Sequence, residues 1–406
     1  MRYYCVLLMI VVTLFFISCA KVTKSDSGGG GGGGTNPPPV VADTVPSLVT
    51  IRSWLVDKNA TEQTAALFYK LKKTARTNIL FGHQDDTKRG YGWANEEGQP
   101  YQPMKSDVKE VTGAYPAVYG WDFNFIAGRG TGSWFNYENV KSHDLVVDAY
   151  NRGGVNTFSW HYDNPVSGGG FYWSSSPVEA VSKIIPGGSH HEIYKNDLKK
   201  ITAFAKSVIG ADGKLVPFIF RPFHEFDGDW FWWGKAHCTA DQYKALYQFT
   251  VTYLRDSQNV HNLLYAWSPD RNFSTQSALL ERYPGDEYID VVGSDNYEDL
   301  KPGVAVSIAS NKLKILSDYA KSNNKVAALT ETGLDKVSQS DWYTNTLLKV
   351  LTTQKLELAY ALVWTNRTDS YWTPYVGHPA APDFINFKNN GYVLFSDKIP
   401  VMYKLQ

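Results

Sequence analysis

A single (β/α)8 barrel is the fold that the sequence predicts, on three observations. Eight short apolar runs recur after residue 45, most of them closing on a polar or aromatic cluster; segments with helical spacing separate them; and no glycine-rich phosphate turn follows the first run. Alternating strand and helix favours a parallel sheet buried on both faces, eight repeats favour closure, and an open doubly wound sheet would want that phosphate turn.

The runs fall at 78–82 before His83-Gln84-Asp85-Asp86, 117–120 before Trp121-Asp122, 155–159 before Trp160-His161, and 216–220 before Arg221. The others are 263–267 before Ser268-Pro269-Asp270, 289–293 before Ser294-Asp295-Asn296-Tyr297, 326–330 before Glu331 and 359–363 before Trp364. Helical spacing is expected over 61–74, 197–209, 241–255, 306–323 and 340–352. Between 45 and 406 there is no second linker and no repeat strong enough to mark a boundary, so this span reads as one catalytic domain.

The first residues read as address and tether. Arg2 precedes an apolar run at 6–17, long enough for a signal-peptide core but short of the ~20 residues that span a bilayer. Phe16-Ile17-Ser18-Cys19 resembles the lipobox of bacterial lipoproteins, which makes 1–18 the signal and Cys19 the lipidated residue. Seven consecutive glycines at 28–34 and three prolines at 37–39 then form a spacer, so 19–44 is expected to tether the domain to a Gram-negative cell envelope, the outer membrane being the favoured place. With Cys5 removed and Cys19 used, Cys238 has no partner for a disulfide. Forty basic against forty acidic residues argues against a nucleic-acid binder, and an aromatic content of 15% argues against disorder. No membrane contact beyond the anchor is expected, and the protein is expected to act as a monomer.

In a barrel the chemistry sits at the C-terminal ends of the strands. The residues punctuating those ends are carboxylates, Asp122, Glu225, Asp270, Asp295 and Glu331, and rings, Trp121, Trp160, Trp230, Trp267, Tyr297 and Trp364. Aromatic faces suit the C–H faces of sugars and carboxylates read their hydroxyls, while retaining glycoside hydrolysis needs one carboxyl as acid and a second as nucleophile. Glu225 follows the fourth run among Phe223 and Phe226, where desolvation would raise its pKa; Glu331 follows the seventh and needs partners such as Arg221 or Tyr297.

The segment Arg221, His224-Glu225, Gly228 and Trp230 through Gly234 resembles the acid/base region of glycoside hydrolase family 26, whose best-known members are β-mannanases built on (β/α)8 barrels. Thr330-Glu331-Thr332-Gly333 is similar to its nucleophile segment, Tyr297 in Ser294-Asp295-Asn296-Tyr297 to the tyrosine beside it, and Phe81-Gly82-His83-Gln84-Asp85 to its first-strand signature. The resemblance implies a retaining endo-1,4-β-mannanase without a cofactor or metal, with Glu225 as acid/base and Glu331 as nucleophile. It further implies a substrate site that includes His83, Trp121, Asp122, His161, Trp173, Arg221, His224, Trp230, Tyr297 and Trp364, with Asn366, Arg367 and Trp372 as distal sugar contacts.

Three alternatives stay open within this reading: an exo-acting, mannobiose-releasing enzyme if the loops 87–102 or 168–191 close the cleft, activity on β-1,3-xylan, and activity on mixed-linkage β-glucan. A glycan-binding lipoprotein without activity is the rival of a different class, and it predicts loss of a carboxylate that is present here. His83, Asp85, Asp86 and His190-His191-Glu192 have the chemistry of metal ligands, but no H-E-x-x-H is present. Acyl transfer is disfavoured because there is no G-x-S-x-G elbow.

Overall fold

Eight parallel strands form the wall of the barrel: β1 (Ile79–Gln84), β2 (Val118–Asp122), β3 (Val155–Trp160), β4 (Phe218–Pro222), β5 (Leu263–Trp267), β6 (Val291–Asp295), β7 (Val326–Thr332) and β8 (Tyr360–Val363). Each pairs with its neighbour in sequence, and β8 returns to β1 with Leu80 opposite Tyr360 and His83 opposite Val363, so the sheet closes. A computed structural model provides these coordinates and describes residues 45–128 and 133–406. The expected signal, the tether and Cys19 lie outside the described residues.

All eight expected runs are strands, with small displacements that have local causes. β4 starts at Phe218 because Pro217 has no N–H to give a ladder. β6 starts at Val291 because the Asp290 carboxylate takes over at its start, accepting from Val56 N at 2.8 Å and Tyr265 N at 2.9 Å.

Alternate residues divide between the two faces of the wall. Leu80, Val118, Val155, Ile219, Leu264, Val291, Ala328 and Leu362 join one apolar cluster inside, which Ile51 and Leu55 close from below where helix Leu48–Trp54 crosses the strand starts. Phe81, Trp121, Phe158, Phe220, Trp267 and Leu329 belong to the outer cluster, packed against the helices. Because both faces are apolar, the strands read as continuous hydrophobic runs rather than as alternations.

The helices depart from expectation where start signals are weak. Thr61 and Thr239 cap Glu62–Thr74 and Ala240–Thr252, the second through a capping box with Gln242, and both lie where the sequence places them. The helix expected from 197 instead runs His191–Ser207, and no side chain caps its start. Ser133–Asn151 and Ala381–Asn389 are helices the periodicity does not reveal. The expected helix at 241–255 runs on into a π-helical turn, Tyr253–Ser257, and the one at 340–352 contains another, Tyr343–Leu348.

One irregularity matters for the site. Ser294 pairs with Leu329 but Asp295 with Glu331, and on the other side Ala361 pairs with Leu329 but Val363 with Thr332. β7 therefore carries one extra residue against both neighbours, a bulge at its C-terminal end. Strict alternation would send Glu331 outward after an inward Thr330; the bulge lets both point into the barrel mouth.

Two long loops are each fastened to a neighbour. The loop after β1 forms a small ribbon, Arg89–Gly90 against Trp93–Ala94. The Asp107 carboxylate ties it to the loop after β8, accepting from Tyr91 N at 2.7 Å, from Trp93 Nε1 at 2.8 Å and from Asn366 Nδ2 at 2.8 Å. Tyr91 and Tyr375 stack at 3.6 Å across the same junction. The loop after β3 is tied to the loop after β4 by an antiparallel bridge between Tyr172 and Phe231.

Candidate active site

Arg221 on β4 occupies the centre of the mouth. It faces inward because Ile219, two residues earlier, is an interior residue, and it is buried. Its Nη1 donates to Asp295 Oδ2 at 2.6 Å and to Ser268 Oγ at 3.0 Å, and its Nη2 donates to Glu331 Oε1. The other Glu331 oxygen accepts from the Tyr297 hydroxyl at 2.9 Å. Burial, then the Glu331 and Glu225 charges, push the Tyr297 phenol well above its ordinary pKa, so it stays a donor. Glu331 is thus presented in one orientation by two donors from two other strand ends.

Asp295 completes the cluster, accepting from Thr330 Oγ1 at 2.6 Å as well as from Arg221 and from Ser268 Oγ at 3.2 Å. This convergence needs Gly293 on β6. A Cβ there would meet Thr330 Cγ2 at 2.5 Å and Ser268 Cβ at 3.1 Å, and would push apart the two hydroxyls that support Asp295.

Glu225 is set by the backbone. Phe223 and Glu225 have φ of 52° and 54°, the left-handed region that side chains with a Cβ avoid. The surroundings over-determine that conformation: Glu225 N donates to Ser268 O at 3.0 Å, Tyr243 Oη to Phe223 O at 3.0 Å and Trp233 Nε1 to His224 O at 2.8 Å. Trp230 folds back to donate its indole N–H to Glu225 Oε2 at 2.7 Å, and Gly228 makes room, since a Cβ there would lie 2.2 Å from the Trp230 ring. Burial pushes the Glu225 carboxyl well above the usual range, and the charges of Asp295, Glu331 and Asp270 push it further, against the Trp230 hydrogen bond. Asp270, at the end of β5, is itself raised to about 6, chiefly by burial.

His161 lines the same mouth beside Trp364, with ring centroids 5.9 Å apart. Its Nδ1 pairs with Asp122 Oδ2, while Asp122 Oδ1 accepts from His161 N at 3.1 Å and Asn124 N at 2.7 Å. Burial opposes charge on both groups, but the pairing outweighs it, holding Asp122 below and His161 above their ordinary values. Asp122 therefore positions His161, and its oxygens are occupied by the protein. His224 is buried 4.7 Å from the His161 ring; burial, then Arg221 and His161, push its pKa well down, so it is a neutral imidazole whose two nitrogens have no protein partner. Trp173 reaches the rim from the loop after β3 and stacks on His237 at 3.7 Å.

Several expected contacts lie elsewhere. Trp121 faces the helix layer, is 1% exposed and donates its indole N–H to Asn156 Oδ1 at 2.7 Å. His83 shares that outward parity on β1, between inward Gly82 and Gln84, and pairs with Asp86 at 2.8 Å while fully buried. Trp160 and Trp267 are likewise wall residues of the outer cluster. The expectation that Trp121 and His83 line the cleft is therefore corrected: the period-two alternation of a strand sends them away from the mouth. Asn366 is buried and spends its amide on Asp107, Thr373 and the Trp372 and Thr373 N–H groups, which makes it scaffold. Trp372 lies against Gly333, whereas Arg367 is exposed and lines a cleft of about 330 Å³ beside the ribbon. His191 Nδ1 meets Ile184 O at 2.6 Å and Glu192 pairs with Lys195 at 2.8 Å.

The sequence marks Ser268 and Thr330 only as members of strand-end clusters and does not single out the rim residue Tyr172. The first two have weakly reactive hydroxyls at strand ends, and the third sits inside a long loop. Parity counted from Ile219 or Val118 would have separated inward Arg221 and Asp122 from outward Trp121.

Comparison with known proteins points one way. The sequence profile of glycosyl hydrolase family 26 matches residues 56–376. The solved structure of GH26C from Muricauda sp. is 41% identical with a TM-score of 0.84, covering 90% of this chain and 100% of that one. A GH26 beta-mannanase from Bacteroides ovatus is 37% identical with a TM-score of 0.77, covering 85% and 98%. The mannan endo-1,4-beta-mannosidase of Bifidobacterium adolescentis is 34% identical over 370 residues, 86% of this chain and 36% of that protein, and its Bacillus subtilis strain 168 counterpart is 29% identical over 199 residues, 47% and 52%. The chain spans 36% and 52% of the lengths of these two curated relatives. A profile match over most of the barrel, joined to whole-domain likeness in three dimensions, shows that this chain belongs to glycosyl hydrolase family 26.

Proposed function

We propose that this protein is a retaining endo-1,4-β-mannanase that cleaves mannan, galactomannan or glucomannan by double displacement. The observation that carries the reading is one mouth holding two carboxyls in opposite settings. Glu331 accepts hydrogen bonds on both oxygens from Arg221 and Tyr297, and Glu225 is pushed toward the protonated form by burial and like charge. Glu331 attacks the anomeric carbon while Glu225 protonates the departing oxygen; Glu225 then takes a proton from a water whose oxygen bonds to the anomeric carbon as the ester bond to Glu331 breaks and the carboxylate leaves. His161, Trp230 and Trp364 border the reacting sugar. The mannanase names of the relatives from Bifidobacterium, Bacillus and Bacteroides support mannan as the substrate.

We further propose that residues 1–18 direct export, that Cys19 is lipidated, and that 19–44 tether the enzyme to the outer membrane of a Gram-negative envelope. The lipobox-like Phe16-Ile17-Ser18-Cys19 and the glycine and proline run after it support this reading.

Chromatography of products over time from linear mannan, galactomannan, mixed-linkage glucan and xylan tests the activity. An early ladder of manno-oligosaccharides is the expected result; mannobiose alone would replace endo with exo action, release from glucan or xylan only would replace the substrate, and silence on all four would leave a glycan-binding protein. Glu225→Ala should lose far more activity on mannan than on an aryl glycoside with an activated leaving group, whereas Glu331→Ala should lose both and yield an inverted glycosyl azide when azide is added. Equal collapse of Glu225→Ala on both substrates would remove it as the acid.

The pH dependence follows from the same charges. Glu225 works as an acid while protonated, so kcat/KM should fall as pH rises through its elevated pKa. Asp270, ionised above about 6, adds a like charge that holds that pKa up. Asp270→Asn should therefore move the basic limb of the kcat/KM profile to lower pH; a limb that stays put or moves up would sink this account. Cys19→Ala should shift the protein from the membrane to the soluble fraction of fractionated cells, and persistent membrane association would contradict lipidation.

A further inference from the structure

The loop after β3 does more than border the mouth. Trp173 N donates to Trp230 O at 2.7 Å and Trp232 N donates to Phe171 O at 3.3 Å, so residues 171–173 are laced by their backbone to residues 230–232. That second strip carries Trp230, whose indole holds Glu225. Trp173 is locked flat on His237 at 3.7 Å and 9°. Between these fixed points Tyr172 stacks on Phe231 at 5.5 Å and 23°.

The two rings of that stack differ in one respect. Phe231 is 2% exposed, whereas Tyr172 is 46% exposed although its ring meets Phe231 and, at 4.6 Å and 44°, Phe171. Burial, then the charges of Glu225 and Glu331, hold the Tyr172 phenol above its ordinary pKa, which places the ring within the field of both carboxylates. A half-exposed aromatic ring, held by backbone bonds beside the two reacting groups, matches the apolar C–H face of a pyranose.

The side of the cleft follows from the chemistry. A general acid must sit beside the oxygen that leaves, so the sugar that departs lies on the Glu225 side, and Tyr172 is tied to the Glu225 loop. We propose that Tyr172 is a specificity-determining platform for the leaving-group sugar, stacking on the ring that departs in the first step and on the sugar that enters when a sugar acceptor replaces water. This inference rests on the hydrolase reading above and extends it to the residue that selects the leaving group.

The test compares a substrate with a sugar leaving group, mannopentaose, with one that has none, β-mannobiosyl fluoride, in the wild type, Tyr172→Ala and Tyr172→Phe. In Tyr172→Ala the ratio of kcat/KM on mannopentaose to that on the fluoride should fall about tenfold, and in Tyr172→Phe it should stay within about twofold, because the ring and not the hydroxyl makes the contact. An unchanged ratio in Tyr172→Ala, whether both rates hold or both fall together, overturns the platform and leaves Tyr172 a strut of the rim. A fall of the same size in Tyr172→Phe overturns it in favour of a contact through the hydroxyl. A wild type inert on both substrates overturns the mannanase reading and this inference with it, whereas an active wild type with an unmoved ratio overturns this inference alone.

Discussion

A single buried guanidinium organises the mouth of this barrel. Arg221 lies between Asp295 and Glu331, and a charge so deeply desolvated is tolerated only when it is paired and hydrogen-bonded. That requirement propagates outward. Asp295 needs Ser268 and Thr330 as donors, these need the space that Gly293 leaves, and Glu331 needs the bulge in β7 to turn inward at all. One cation thus fixes the relative placement of β4, β5, β6 and β7 at their C-terminal ends, and with it the orientation of the residue we assign as nucleophile.

The second carboxyl is governed by conformation. Glu225 sits on a turn with two left-handed residues, a geometry that costs on the order of 1–3 kcal/mol per residue and persists because neighbouring groups hold it. Those groups are a carbonyl from β5, a tyrosine hydroxyl from the following helix and two indole N–H groups of the same loop. The two carboxyls are consequently fixed by different means, one by a shared cation and one by a strained backbone, which allows their environments to differ within one small volume. Burial at the turn, with the like charges of Asp295, Glu331 and Asp270, raises the Glu225 pKa, and the strip at 171–173 braces the turn's aromatic loop from outside.

Much of this was legible in the sequence because it rests on local chemistry. Eight apolar runs, the helical spacing between them and the polar endings predict the closed barrel, and Glu225, Glu331, Arg221 and Tyr297 follow from the endings of the fourth, sixth and seventh runs. Trp121 and His83 depart from expectation because strands buried on both faces hide their alternation; a ring at a strand end looks the same in sequence whether it faces a helix or the cleft. Asn366 reads in sequence as a distal contact, yet its amide is spent on Asp107, Trp372 and Thr373. The start of His191–Ser207 is not legible in the sequence because no capping side chain marks it.

What the sequence determined by itself is the kind of wall and the kinds of groups at its rim, since hydrophobic periodicity and residue chemistry are local properties. What only the tertiary structure decided is which of those groups meet. The inward turn of Glu331 depends on an extra residue seen only against the registers of β6 and β8, and the role of Asp122 as the support of His161 depends on a pairing between two strand ends. The bracing of the half-exposed Tyr172 depends on two loops whose sequences carry no sign of each other. These outcomes are set by register, burial and non-local hydrogen bonds, quantities that come into being only when the barrel closes.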